Sequence, residues 1–441
     1  MREKEVIQSS LPLQSSPVRK SSRIHFHLRD YFQHLTLFSR DVRLYLLGTF
    51  FTGYTFAVFQ LLLNLYLKER GFSEGFIGNI LSATALGTLI ISVPFAILLH
   101  RVSYRLILIS SLFLALIGYL LLGFLSNPTG LLAASFISGV SMTGVRLVAP
   151  PFFMRNSTPK ERTHLFSVNY GTWIAAAIVG SLTGGYLVSL FQLLGGDLIA
   201  SLKWALLSSI AIGLIGAIPY WFIRSESTSD TNPGSVWSWE NFRQRGGFYF
   251  RLSLPLFVLG LGAGLIIPFL NLYFKDSFNQ SAHQIGIYFA WLQVFMLTGI
   301  LAAPILSKRL GMIRTLVFTE LISIPFMLIL AFTGSLPLAV GAFFLRGAMM
   351  NMAQPLSVNF SMEAVRAEEH SLINGMITLA WNLSWVLSAS IGGKLIELHS
   401  YAAPLVIAAV LYIFSAGLYF YFFAGDEKKS AASEALPMQE A

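Results

Sequence analysis

Three ionisable side chains, Arg146, Glu320 and Arg346, stand inside long apolar runs of a 441-residue chain. A charge at membrane depth is costly unless a solute, an ion or a partner group meets it, so these residues are functional candidates from the outset. Arginine presents a forked set of N–H donors suited to an anion. A carboxyl group can take up and release a proton, which makes Glu320 the candidate for proton coupling. Uncharged groups in the same runs extend the list. Gln60, Asn351, Gln354, Trp381 and Asn382 carry amides that hydrogen-bond and an indole that stacks against organic solutes. Arg346, Arg146 and these five are expected to bind a substrate. Two bland readings stay open beside that one: Glu320 could meet a structural partner, and Arg146 could snorkel towards the nearer membrane surface.

Other chemistries find no support. No His/Asp/Glu cluster and no nucleophile–base pair can be read, so the chain is not expected to be an enzyme. Cysteine is absent, which excludes thiolate zinc, an iron–sulfur cluster and a disulfide framework. His25-x-His27 lacks a third ligand, and no resident metal or cofactor is expected. Coupling to a proton or a sodium ion is left open. Gly260-x-Gly262-x-Gly264 lies inside an apolar run with no strand before it, which reads as close helix packing rather than a nucleotide loop.

Such residues need long apolar elements to position them, and the composition supplies these. With 55% hydrophobic and 12% charged residues, a chain this long has too little polar surface to cover a water-facing globule. A bilayer-spanning helix needs about 20 apolar residues. Runs of that kind fall at 43–67, 75–99, 106–125, 130–153, 164–190, 203–223, 252–274, 284–307, 313–333, 337–357, 371–396 and 402–424. The predicted fold is therefore an all-α integral membrane protein of twelve transmembrane helices. Its segments are a basic amphipathic tail (1–42), a first six-helix half (43–223), a linker (224–251), a second six-helix half (252–424) and a closing tail (425–441). Residues 1–40 contain no apolar core, which argues against a cleavable secretion signal. An even number of spans puts both termini on one side. Most of the 30 Lys and Arg residues then lie on that side, which makes it the cytoplasmic one. The net charge of +9 is accounted for by a basic face opposite anionic lipid. Bilayer and small-molecule substrate are the expected partners, with no nucleic acid and a monomeric state.

The two halves repeat at an offset of about 208 residues. Asn64-Leu65-Tyr66-Leu67-Lys68 returns as Asn271-Leu272-Tyr273-Phe274-Lys275, Gly78 matches Gly286, Arg101 matches Arg309, Trp173 matches Trp381, and Gly184-Gly185 matches Gly392-Gly393. Repeats of six spans share one orientation, which implies a pseudo-twofold axis along the membrane normal and a central cavity. Equivalent positions favour a shared structural role for Trp173 and Trp381. Asn64 and Asn271, at the ends of their runs, suit helix termination or an outer gate better than substrate contact.

On this layout, from about 43 to 424, the chain resembles the major facilitator superfamily. Ala96-Ile97-Leu98-Leu99-His100-Arg101-Val102-Ser103-Tyr104-Arg105 is similar to that family's loop between spans two and three. It keeps Arg101 and Arg105 but has His100 where the family carries an acid. Lys308-Arg309-Leu310-Gly311 is the second copy, and Pro159-Lys160-Glu161-Arg162 resembles the segment between spans four and five. Gly180, Gly184 and Gly185, with Ala176, partly resemble the exporter motif, with Ser181 where a proline belongs. The resemblance implies alternating access by rocking of the two halves, with spans one, four, seven and ten around the cavity. It also implies a cytoplasmic gate of Arg101, Arg105 and Arg309, with Glu161 and Glu369 as replacement carboxylates.

The expectation is a secondary transporter of a small organic solute in a bacterial-type plasma membrane. Two arginines against one acid tilt the substrate towards an anionic or amphiphilic molecule. A multidrug or hydrophobic-compound exporter, sugar uptake and a non-transporting receptor of the same fold are the rivals, in that order.

Overall fold

In hydrocarbon every backbone N–H and C=O must be satisfied within the protein, and a helix does this inside a single segment. The structure, a computed structural model, describes residues 38–99, 101–224, 239–366 and 369–435. The basic tail, His100 and the middle of the linker lie outside the described residues. Twelve helices are long and apolar enough to cross a membrane. They are α1 (Arg40–Glu69), α2 (Glu74–Leu98), α3 (Tyr104–Phe124), α4 (Pro128–Asn156), α5 (Pro159–Leu193), α6 (Leu198–Ile215, continued by Ala217–Trp221), α7 (Trp239–Ile266, continued after a break by Leu270–Phe278), α8 (Ala282–Leu310), α9 (Met312–Phe332), α10 (Leu336–Glu363), α11 (His370–Leu398) and α12 (Ala402–Ala435).

Several helices outrun the apolar stretches. α5 starts at Pro159 and α7 at Trp239, in polar sequence, because a helix bonds its own backbone equally well beyond the hydrocarbon. Local signals set the starts. Thr158 and Glu161 form a capping box before α5, and Ser281 and Gln284 form one before α8, each satisfying N–H groups that the first turn leaves free.

The repeat is visible in the packing. Within the first half α1 packs on α5 and α6, α2 on α4, and α3 on α4 and α6. Within the second, α7 packs on α11 and α12, α8 on α10, and α9 on α10 and α12. The halves meet through two equivalent seams, α2 against α11 and α5 against α8. Both seams depend on glycine. A Cβ on Gly286 would collide with the Ser181 carbonyl of α5, and one on Gly78 with the Ala389 carbonyl of α11. These are the two glycines that the repeat superimposes, so an inherited small residue sets how closely the halves approach at each seam.

The Gly260-x-Gly262-x-Gly264 run also packs closely. Gly260 and Gly264 face Ser384 and Ser388 of α11, and Gly262 lies against Tyr412 of α12. Just beyond it α7 is interrupted by a single 3-10 turn, Ile267–Phe269. Pro268 sits in that turn, lacking an N–H to continue the α-helical ladder, and Ile266 just before the turn has left helical geometry at φ −131° and ψ −36°.

Candidate functional site

The site is built from α1 and α4 of the first half. Arg146, near the middle of α4, is exposed, with neighbouring groups on two other helices. Its guanidinium carbon lies 5.9 Å from the Phe56 ring of α1, and the Tyr119 hydroxyl of α3 is within its electrostatic reach. Phe56 in turn meets Trp173 of α5 edge to face, with centroids 6.2 Å apart. Gln60 is exposed one turn further along α1. Phe56, Gln60 and Leu63 are the residues of this stretch left at least partly open between buried neighbours, and their i, i+4, i+7 spacing makes one stripe of a helix. A cation on α4 therefore faces an aromatic ring on α1, with an exposed amide one turn further along the same helix.

The second half offers amides but not its arginine. Asn351 and Asn382 are half-buried, and each donates its amide nitrogen to the carbonyl four residues earlier, Gly347 and Thr378 respectively, at 2.9 Å. What each can offer a solute is its carbonyl oxygen. Trp381 packs over Gly260 just as Trp173 packs over Gly53, so the matched indoles fill matched gaps. Gln354 lies on α10; its side chain is outside the described residues.

Arg346 faces inward within its own half. It is 5% exposed and donates from Nη2 to the Tyr412 hydroxyl of α12 at 2.8 Å, while its Nε has no hydrogen-bond partner. Glu320 lies in the same interior, 0% exposed, with neither carboxyl oxygen hydrogen-bonded. Ser415, Tyr412 and Tyr419 of α12 surround it. Ser415 donates to the Pro255 carbonyl at 3.0 Å, and Tyr419 shares a 3.0 Å hydrogen bond with Ser357. The structure thus joins Arg346 and Glu320 through α12 and separates both from Arg146.

At the Arg101 end of the helices the five gate residues keep to their own halves. Arg105 stacks over Trp221 at 4.3 Å, and Glu161 accepts the Thr158 N–H that closes its capping box at 3.0 Å. Arg101 and Arg309 are exposed. Glu369 accepts from Arg245 at 2.5 and 2.7 Å, from the Tyr249 hydroxyl at 2.7 Å and from the Arg366 N–H at 3.0 Å. Burial alone would raise the Glu369 carboxyl, but these donors outweigh it and hold the group below the usual carboxylate range.

The Asn64 end is closed. There Asn64 and Asn271 reach across the axis to each other, Lys275 of α7 pairs with Glu69 of α1, the Gly75 N–H donates to Glu397 at 3.1 Å, and Ser390 donates to the Ser82 hydroxyl at 2.8 Å. Hydrogen bonds between the halves cluster here, while Arg146, Arg101 and Arg309 are exposed.

Phe56, Tyr119 and Tyr412 went unnoticed in sequence. Phe56 alone had a signal, its helical spacing from Gln60. The tyrosines become visible only once α3 and α12 are in place.

A duplicated six-helix bundle whose halves are hydrogen-bonded at one end and which carries an exposed arginine within a span has the architecture of a membrane transporter. The chain belongs to the Major Facilitator Superfamily, whose family model matches residues 45–257 and 252–440. Among its relatives, an uncharacterized MFS-type transporter, YcaD, of Salmonella enteritidis PT4 is 23% identical over 391 residues, covering 86% of this chain and 95% of that protein. The nucleoside transporter NupG superposes with a TM-score of 0.71 at 12% identity, over 87% of this chain and 98% of that one. A bacterial homologue of the human lysosomal transporter Spinster, in an inward-facing and occupied conformation, does so at 0.70 and 16% identity, over 90% and 98%. This protein is accordingly a multi-pass membrane transporter and not an enzyme.

Proposed function

We propose that the protein moves a small anionic or amphiphilic organic solute across the plasma membrane, as a monomer with both termini in the cytoplasm. The observation that carries this reading is Arg146, a mid-span cation that is accessible and flanked by Phe56 and Tyr119. Its guanidinium would bind the anionic group, Phe56 would meet the apolar part, and Gln60 would hydrogen-bond to the remainder. Asn351, Gln354, Trp381 and Asn382 would close on the solute from the other half. Glu320 would take up and release the coupling proton, a role supported by two buried oxygens without partners. The gate arginines would close the Arg101 end when the Asn64 end opens. Likeness to a nucleoside transporter adds nothing to the substrate reading at 12% identity.

A ligand that binds the folded state raises its apparent stability by RT ln(1 + [L]/Kd). Purified wild type, Arg146→Ala and Arg346→Ala would be screened by thermal shift against organic anions, sugars, amino acids and cationic drugs. Stabilisation by anions that disappears in Arg146→Ala and survives in Arg346→Ala supports the proposal. Stabilisation by sugars or cations that is indifferent to Arg146→Ala refutes it.

A further inference from the structure

Asn64 is 3% and Asn271 1% exposed, and they are equivalent residues of the two halves. Asn64 Nδ2 donates to Asn271 Oδ1 at 3.3 Å and to the Pro268 carbonyl at 2.6 Å. Asn271 Nδ2 returns a bond to the Leu61 carbonyl of α1 at 2.8 Å. Each amide therefore donates to the backbone of the opposite half. Both acceptors belong to the stretch where the helices approach the axis, and the Pro268 carbonyl lies in the 3-10 turn that interrupts α7. The Asn271 carbonyl oxygen also accepts its own chain's Leu272 N–H at 2.9 Å, which fixes the orientation of the amide relative to that break. On α1, Gln60 lies one turn from Asn64.

We infer that Asn64 and Asn271 form a reciprocal amide latch on the pseudo-twofold axis, which holds the two halves together at this end and must be broken in every transport cycle. This rests on the alternating-access reading but not on the identity of the substrate. A buried amide that loses its partner leaves unpaired donors in a poorly hydrated place. Removing either member therefore strands the other and favours the state in which water reaches both. The interruption of α7 places the latch on a short segment, Leu270–Phe278, that can swing without bending the rest of the helix.

The absence of cysteine makes the test clean. Ser181→Cys puts one thiol on α5, 4% exposed at the α5/α8 seam, and its maleimide labelling rate in detergent reports opening of the Asn64 end. Asn64→Ala, Asn271→Ala and the double variant would be made in this background, with Gly78→Ala as a steric control at the other seam. We expect each single variant to label about tenfold faster, equivalent to about 1.4 kcal/mol, and the double variant to add little, because the first substitution already breaks the pair.

Asn64→Asp gives an independent reading. A protonated acid can donate to the Pro268 carbonyl and a carboxylate cannot, so the labelling rate divided by that of the Ser181→Cys parent at the same pH, which removes the thiol's own titration, should be near one at acid pH and rise at alkaline pH. If the alanine variants are not monodisperse, this variant decides alone. Labelling within twofold of the parent in the asparagine variants, with Gly78→Ala fast, would overturn the latch. Slow labelling in all of them, Gly78→Ala included, would overturn alternating access as well.

Discussion

Replacing Gly185 with alanine should prise the closed end apart. A Cβ at Gly185 would lie 2.6 Å from the Ala282 carbonyl oxygen and 2.9 Å from the His283 Cα. Ordinary contact begins at 3.4 Å, so the two backbones must separate by about 0.8 Å at the carbonyl. Both obstacles are main chain, which cannot step aside as a flexible side chain would. Overpacking of this kind costs about 1–3 kcal/mol, and here the cost falls only on the state in which α5 and α8 touch. The ratio of open to closed should therefore rise by about 5- to 150-fold, at 1.4 kcal/mol per tenfold. Ser82→Cys, at the distant α2/α11 seam and 8% exposed, would report it through its maleimide labelling rate. Gly417→Ala is the control: a Cβ there meets nothing within 4 Å. If Ser82→Cys labels no faster with Gly185→Ala than with Gly417→Ala, in monodisperse protein, the claim that seam glycines set the closed state is wrong.

Three further outcomes follow from the side-chain contacts. Glu369→Gln should lower thermal stability at neutral pH by about 1.5 kcal/mol, the low end for hydrogen bonds to a charge, because its partner Arg245 is partly exposed. The Glu369 carboxyl is depressed, so its contribution is present above the ordinary carboxylate value and lost as pH falls through the folded one. Wild type and Glu369→Gln should accordingly converge in acid, and a gap that widens there would contradict the assignment. Trp173→Ala and Trp381→Ala should lose similar stability, about 3 kcal/mol for a partly buried indole, measured by intrinsic-fluorescence melting; both should also weaken ligand binding, Trp173→Ala because Phe56 leans on it and Trp381→Ala because it loses a side chain placed against the solute. Tyr412→Phe should cost about 1–3 kcal/mol by stranding the Arg346 guanidinium, and adding Arg346→Leu should recover part of that loss in a double-mutant cycle.

Much of the architecture was legible in the residues, whereas the contacts between halves were not. Apolar length and the positions of lysine and arginine gave the twelve helices, because hydrocarbon thickness acts on each segment separately. The repeat matched Asn64 with Asn271 and Gly78 with Gly286, but that the asparagines bond each other and the glycines lie at the seams shows only once the helices are packed. The orientation of a buried charge was not legible. Arg146 and Arg346 look alike in sequence, each an arginine inside an apolar run, yet one is exposed and the other is turned to Tyr412. That difference depends on a phenol 66 residues further along the chain, which no local spacing encodes. Glu161 and Glu369 were likewise paired with the gate arginines by resemblance, whereas a capping box and the linker-side Arg245 hold them in this state.

The two seams are alike in backbone but not in fastening. Hydrogen bonds join α2 to α11 through Ser82 and Ser390 and through Gly75 and Glu397. At α5 and α8, close glycine packing and a 6.1 Å ring contact between Tyr186 and His283 are the features in view. A duplicated molecule fastened more firmly along one edge than the other opens as a door does, with a hinge side and a free side. Opening should then begin at α5 and α8, so that Ser181→Cys becomes reactive before Ser82→Cys and the solute's first passage at that end runs along the free edge rather than straight down the axis.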